Sequence, residues 1–291
     1  MSVPASASDL SALARRFSLE ATRPGTAEIA ALAEILPRGT PVYLTAVPTQ
    51  DARELVKSAA ALRNSGIEPV AHIAARRFVS ASALRELLAG LRGEADMRRL
   101  LLIGGDVDTS GAFADALSVI QRGGLLDAGI EEIGIGAYPE GHPRIPAGRL
   151  EAALDEKIAS ATAQGLRVHI VSQFSFSPEQ ILGWLRQLRA CGISKSVKIG
   201  MAGPTSVPAL LRYARRCGVA ASLRGLVSGV ASGLVGHVGP DRIIETLSAA
   251  NDLGDVALHY FSFGGTLETA RYACDAAAGR HGAGRAMARS N

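Results

Sequence analysis

Apolar residues along the chain fall into short strand-like runs that alternate with longer stretches of helical period, and the alternation begins near the amino end. The strand runs cover 16–20, 42–46, 69–74, 100–104, 133–137, 168–173, 197–201 and 256–261. Helical spacing predicts helices over 26–36, 51–65, 80–92, 112–122, 149–163, 178–191 and 206–217, further helical material over 220–252, and a last helix over 266–279. Start and stop signals support several of these: Ser177 precedes Pro178 at one helix start, and Gly66, Gly165, Gly192 and Gly218 stand where helices should end. Eight strands joined by helical crossovers, with no Pro/Ser/Gly-rich linker between them, predict an α/β chain. The expected architecture is a single (β/α)8 TIM-type barrel over residues 1–280, with the extra helical material before the last strand and a frayed tail over 281–291.

Composition narrows the class. At 291 residues and 47% apolar content the chain can bury a substantial core, which excludes a disordered or fibrous protein. The 31 basic and 27 acidic residues give a net charge of +4, too small to make nucleic acid the expected partner. Cys191, Cys217 and Cys274 lack C-x-x-C spacing and read as core residues in a reducing compartment. Neither a signal peptide nor a membrane-spanning run is visible, so the expected location is cytoplasmic, with no membrane partner. The chain has no Gly-Lys-Ser/Thr phosphate loop, no G-x-G-x-x-G after a strand, no G-x-S-x-G and no H-E-x-x-H. His72, His142 and His259 are scattered in sequence, and no metal site is expected.

Barrel enzymes carry their chemistry at the carboxyl ends of the strands, so the polar residues there are the candidates. Glu20 closes the first run, Thr45 the second, and His72 lies in the third. The fourth runs into Gly104-Gly105-Asp106, and the fifth into Tyr138-Pro139-Glu140-Gly141-His142-Pro143. Gln173 ends the sixth, and His259 in the eighth precedes Gly264-Gly265. Each also has an ordinary structural role open to it. Glu20 could pair with Arg15, Arg16 or Arg23; Asp106 could be a turn residue or a helix cap; His72 and His259 could be satisfied core histidines. Gln173 could anchor its own loop, Gly264-Gly265 could be a plain turn, and Lys198 could be either a Schiff-base lysine or a strand-edge lysine.

Taken together these strand ends resemble the methylenetetrahydrofolate reductase family. Phe17-Ser18-Leu19-Glu20 is similar to its opening strand, Ala71-His72 to its strand-three histidine, and Gly105-Asp106 to its glycine-aspartate. The most specific piece is Ala137-Tyr138-Pro139-Glu140-Gly141-His142-Pro143. Leu154-Asp155-Glu156-Lys157, Val171-Ser172-Gln173-Phe174 and His259-Tyr260-Phe261 extend the resemblance downstream. The family has an arginine directly before its glycine-aspartate; this chain has Gly104.

The resemblance implies a flavoprotein oxidoreductase that interconverts 5,10-methylenetetrahydrofolate and 5-methyltetrahydrofolate, with FAD as cofactor, NADH or NADPH as co-substrate and a reduced folate as substrate. Within it Glu20 and Asp106 are catalytic, Glu20 supplying the proton that opens the methylene bridge. Thr45, His72, Gly105, Asp106, Tyr138, His142 and Lys157 line the flavin, Lys157 or His142 facing its diphosphate, and Gln173 hydrogen-bonds the pterin. The physiological direction could be methyl oxidation, and a homo-oligomer is the expected assembly. Two alternatives stay open: a flavin-free folate- or pterin-binding subunit that partners a methyltransferase or demethylase, and a barrel lyase using Lys198.

Overall fold

The computed structural model describes residues 12–47, 51–107, 111–206, 208–210, 212–213 and 240–280. Its strands are β1 (Phe17–Ala21), β2 (Pro41–Leu44), β3 (Glu68–Ala74), β4 (Arg99–Ile103), β5 (Glu132–Ala137), β6 (Arg167–Ser172), β7 (Ser196–Ala202) and β8 (Val256–Phe261). The helices with complete bounds are α1 (Thr26–Ile35), α2 (Ala52–Asn64), α3 (Ala81–Ala95), α4 (Ala116–Arg122), α5 (Ala147–Ala163), α6 (Pro178–Ala190), α7 (Asp241–Ser248) and α8 (Thr266–Ala277). The eight strands hydrogen-bond in chain order as a closed barrel, so the (β/α)8 expectation holds. Helix α7 supplies helical material before β8, as expected. Most of the expected helix over 206–217, the segment 220–239 and the tail 281–291 lie outside the described residues.

Local chemistry sets the element boundaries. Ser177 caps α6 by accepting from Gln180 N, with Pro178 in the first turn. Helix α4 starts at Ala116 rather than near 112, because Asp115 and Ser118 form a reciprocal capping box that fixes its first turn. Cys191, expected in the core, instead caps α6 and is exposed. No helix among the described residues is long and apolar enough to cross a membrane.

The chain forms two compact units, one being Glu20–Val171 and the other the described residues up to Leu19 together with those from Ser172 onward. In the first unit the parallel register sets Tyr43 opposite Val70, His72 opposite Leu101, and Leu101 opposite Gly134. Side chains two apart on a strand share a face. Tyr43, Val70, Leu101 and Val171 therefore mark one face of their strands, where they form a buried cluster with Ile103 against it. Glu132, Gly134 and Gly136 follow one another on the corresponding face of β5. In the second unit β7 and β8 pair over six residues, and β8 pairs with Phe17, Ser18 and Leu19 of β1.

Candidate active site

Glu20 is the fourth residue of β1 and His72 the fifth of β3, and the fold brings them together. His72 Nε2 lies 3.5 Å from Glu20 Oε1, with side chains only 8% and 12% exposed. Burial raises the Glu20 carboxyl above the ordinary carboxylate range, and His72 opposes that rise only in part. Burial has placed a carboxyl group where it favours keeping its proton. Of the arginines open to Glu20 from sequence, Arg16 pairs with Asp255. Just beyond Glu20, Thr45 Oγ1 hydrogen-bonds Thr22 Oγ1 at 2.9 Å and Thr45 N donates to Ala21 O at 3.1 Å. These bonds tie the exits of β1 and β2 together.

A second cluster forms where β3 and β4 end. The chain leaves β3 in a short 3-10 turn, Ala75–Arg77, which presents two arginines in succession. Arg76 donates to the carbonyls of Gly104, at 3.3 Å, and Gly105, and its backbone N–H donates to Gly104 O at 3.0 Å. A side chain at Gly104 would begin 3.5 Å from the Arg76 guanidinium, so an arginine from the turn after β3 covers the place that the glycine after β4 leaves open. Gly105 has φ +94°, a left-handed conformation that favours glycine. Arg77 donates to Asp106 through Nε at 3.2 Å and through Nη2, while its Nη1 is buried with no hydrogen-bond partner among the described residues. Asp106 is exposed and ion-paired.

The remaining predicted residues are more dispersed. At the exit of β5 the Tyr138 and His142 rings meet edge to face, 5.2 Å apart, and His142 Nδ1 accepts from Arg144 N at 3.2 Å. Burial, and then Arg144, lowers the His142 imidazole below its ordinary range, which favours the neutral ring. Lys157 on α5 is half-buried; its desolvation lowers the ammonium, and its charged neighbours Asp115 and Glu156 oppose this. Gln173 lies in the other unit, and its Oε1 accepts from Phe174 N at 3.1 Å, the loop-anchoring role open to it from sequence. His259 is buried and pairs with Ser18 Oγ at 2.9 Å between adjacent strands. Gly264 packs where a Cβ would meet Pro204 O at 2.2 Å, a steric role, and Gly265, at φ +124°, donates its N–H to Ser262 O to close a turn. Lys198 is the third residue of β7, toward the amino end rather than the carboxyl end that barrel chemistry uses.

Sequence reasoning missed one buried arrangement altogether. Tyr43 Oη and His169 Nε2 are 2.9 Å apart, and His169 Nδ1 lies 2.8 Å from Glu132 Oε1. Arg99 and Arg167 flank the same carboxylate at 3.2 and 3.7 Å. The hydrogen bond from His169 lowers the Glu132 carboxyl to about 2, against the penalty of burial. The signal that could have pointed here is Gly134, inside a strand: a Cβ there would lie 2.8 Å from His169 Nε2 and 3.0 Å from Leu101 Cδ1. Among the described residues no group of three or more His, Cys, Asp or Glu is arranged to hold a metal ion.

No family model matches the chain. Among solved structures it is similar to one from Burkholderia cenocepacia provisionally named a phosphonomutase, at 10% identity and TM-score 0.50 over 88% of this chain and 92% of that one. It is also similar to dihydropteroate synthase from Thermus thermophilus, at 14% identity and TM-score 0.47 over 89% and 91%. A conserved protein of unknown function from Enterococcus faecalis matches 66% of this chain at 12% identity and TM-score 0.38, and this chain spans about half of its length, 49%. Likeness at this level of identity establishes the fold, and the chemistry has to be argued from the residues themselves.

Proposed function

We propose that this chain is a flavin-dependent oxidoreductase of the methylenetetrahydrofolate reductase type, interconverting 5,10-methylenetetrahydrofolate and 5-methyltetrahydrofolate with NADH or NADPH as co-substrate. The observation that carries this reading is the Glu20–His72 pair: a buried carboxyl at a strand's carboxyl end, biased toward its acid form and set 3.5 Å from an imidazole. A folate-binding subunit without chemistry has no use for such a group, which favours the enzyme over the flavin-free alternative.

The residues present fit an anionic cofactor such as FAD. The donor set at the β3 and β4 exits is two adjacent guanidinium groups, and Arg77 Nη1 is a buried donor with no hydrogen-bond partner among the described residues. Arg76 and Arg77 would hold the anionic portion, Arg76 standing in for the arginine that Gly104 replaces. Tyr138 and the neutral His142 ring would offer an aromatic wall and a hydrogen bond, and Lys157 a further cation. When bound, FAD would supply the hydride-carrying chemistry, and the protein supplies orientation and electrostatics.

Within that reading Glu20 acts as general acid. Its carboxyl proton passes to the bridging nitrogen that leaves the methylene carbon, the carbon–nitrogen bond breaks, and Glu20 is left as carboxylate beside His72. In the methyl-oxidising direction the same carboxylate takes the proton back. His72 is placed to stabilise the carboxylate between those events.

The test separates the two half-reactions. Glu20→Gln is expected to retain bound FAD and its reduction by NADH or NADPH, while folate turnover falls by roughly a hundredfold or more, the scale of general acid catalysis. Folate turnover unchanged in that variant would remove Glu20 from the mechanism and with it the basis of this reading.

A further inference from the structure

The unit made of the described residues up to Leu19 and from Ser172 onward carries a glycine pair that the proposed reaction leaves without a role, Gly264-Gly265 between β8 and α8. The exits of β7 and β8 lie along one another there. Gly203 N donates to Phe261 O at 2.9 Å, a Cβ on Gly203 would stand 2.5 Å from Thr269 Oγ1, and one on Gly264 would stand 2.2 Å from Pro204 O. Close packing therefore explains Gly203 and Gly264. Gly265 has a different reason: its φ of +124° and ψ of 142° strain any residue with a Cβ, yet no atom of the described residues lies within 4 Å of the place a Cβ would occupy. The approach to Gly265 is open, and both glycines are exposed.

Gly265 is also the N-cap of α8, a helix of 12 residues that no side chain caps. Its first internal bond runs from Thr269 N to Gly265 O at 3.1 Å, so the N–H groups of Thr266, Leu267 and Glu268 have no partner within the helix. They carry the positive end of the helix dipole. An independent feature stands on the β7 side of the same turn. Thr205 is 4% exposed, and its buried Oγ1 has no hydrogen-bond partner among the described residues. The residue faces the turn, since a Cβ on Gly264 would lie 3.1 Å from both Thr205 Cα and Thr205 Cβ. An unpaired buried hydroxyl is destabilising, so packing alone gives no reason for threonine where valine has the same shape. Arg212 adds a cation to this loop: its guanidinium carbon lies 5.3 Å from the centre of the Tyr213 ring, which stacks at 4.2 Å on Phe263, the residue before Gly264. The opposing charge in the first turn of α8 is the exposed Glu268.

We propose that the exits of β7 and β8 form a phosphate-binding site, in which the first-turn amides of α8 receive the phosphate oxygens over the open Gly265 and Thr205 Oγ1 donates to one of them. Barrels of this class frequently bind phosphate with the loops after their seventh and eighth strands and a helix N-terminus. The ligand class is phosphate, free or as a monoester, which present the same oxygens. The site lies wholly within one unit and does not depend on the folate reading.

The test uses the full chain with inorganic phosphate as probe, near neutral pH and at constant ionic strength, followed through the backbone amide shifts of Thr266, Leu267 and Glu268. The expected result is a saturable shift with one shared dissociation constant. Thr205→Val should weaken that binding about tenfold, the scale of a charge-assisted hydrogen bond, and Glu268→Gln should tighten it about threefold. A merely structural Thr205 predicts instead that the valine variant binds phosphate unchanged. The N-terminus of α5 is the control, because it too has no side-chain cap, and the Ala147 and Gly148 amides should stay in place. Amides of α8 that do not move, unchanged binding in Thr205→Val, or equal shifts at α5, meaning an adventitious ion only, would overturn the inference. Should Thr205→Val fail to fold, Glu268→Gln on the exposed first turn decides the question, and binding that it fails to tighten would overturn the proposal. Glycerol 3-phosphate as a second probe separates the two sources: binding tighter than that of inorganic phosphate supports the site with an esterified ligand, and equal or weaker binding supports it with free phosphate.

Discussion

Replacing Glu132 by Gln tests the buried polar chain through stability alone, and its size can be worked out beforehand. The carboxyl is lowered from 4.5 to about 2, chiefly by the hydrogen bond from His169 and with help from Arg99 and Arg167. At about 1.4 kcal/mol per pH unit that difference corresponds to about 3 kcal/mol at most. Glu132 is 18% exposed, while Arg99 and Arg167 are 38% and 61% exposed. Solvent screening of the two arginines reduces the expected loss to about 1 to 2 kcal/mol. Glutamine keeps an acceptor for His169 Nδ1, so the loss reports the charge. For a chain of 291 residues it corresponds to a melting-temperature decrease of about 2 to 3 °C. A depressed carboxyl contributes stability that is fully present above its unfolded value of 4.5 and is lost as pH falls toward 2. Urea unfolding of both proteins from pH 7 to pH 3 should therefore show a gap that closes with acidity, to about four-tenths of its neutral value at pH 3. A gap of constant size over that range, or none at pH 7, would refute the assignment of Glu132 as the charged anchor.

Three other outcomes follow from the same geometry. Glu20 has its carboxyl raised, so its contribution runs the opposite way: stability is lost as pH rises through the folded value, and Glu20→Gln should melt higher than the unmodified chain at pH 8, by differential scanning calorimetry, with the advantage shrinking below pH 4.5. Gly134→Ala forces a methyl group to within 2.8 Å of His169 Nε2 and should cost about 1 to 3 kcal/mol in urea unfolding, where Gly148→Ala, with open space around it, should cost nothing. Arg76→Ala removes charged hydrogen bonds to Gly104 and Gly105 and the cation over Gly104, and should weaken FAD binding about tenfold or more in a fluorescence titration, whereas unaltered affinity would remove Arg76 from the proposed cofactor cradle.

The fold was readable because parallel strands buried on both faces appear as apolar runs, and all eight runs became strands with limits within two residues of those expected. The Glu20 and His72 positions were readable as strand-end polar residues, but their meeting was not, since strands β1 and β3 are far apart in sequence. Arg76 and Arg77 escaped notice because consecutive arginines after a strand resemble any solvated turn; only the approach of β4 gives them Gly104, Gly105 and Asp106 as partners. His169 sat inside an apolar run and looked like part of it. Its partners Tyr43 and Glu132 lie 126 and 37 positions away, and the one local sign, a glycine within β5, has its cause in a different strand. Cys191 was misjudged because a small apolar residue near a helix end reads as core until the cap exposes it.

The central claim, that this barrel uses a buried acid beside a flavin to exchange hydride with a reduced folate, is tested most directly by the absorption spectrum of the purified chain from about 300 to 550 nm, the flavin range, followed by anaerobic addition of 5-methyltetrahydrofolate. The account predicts that added FAD binds and that its visible absorbance is bleached by the folate. Absence of flavin binding with FAD in excess, or a bound flavin that the folate leaves oxidised, would contradict it.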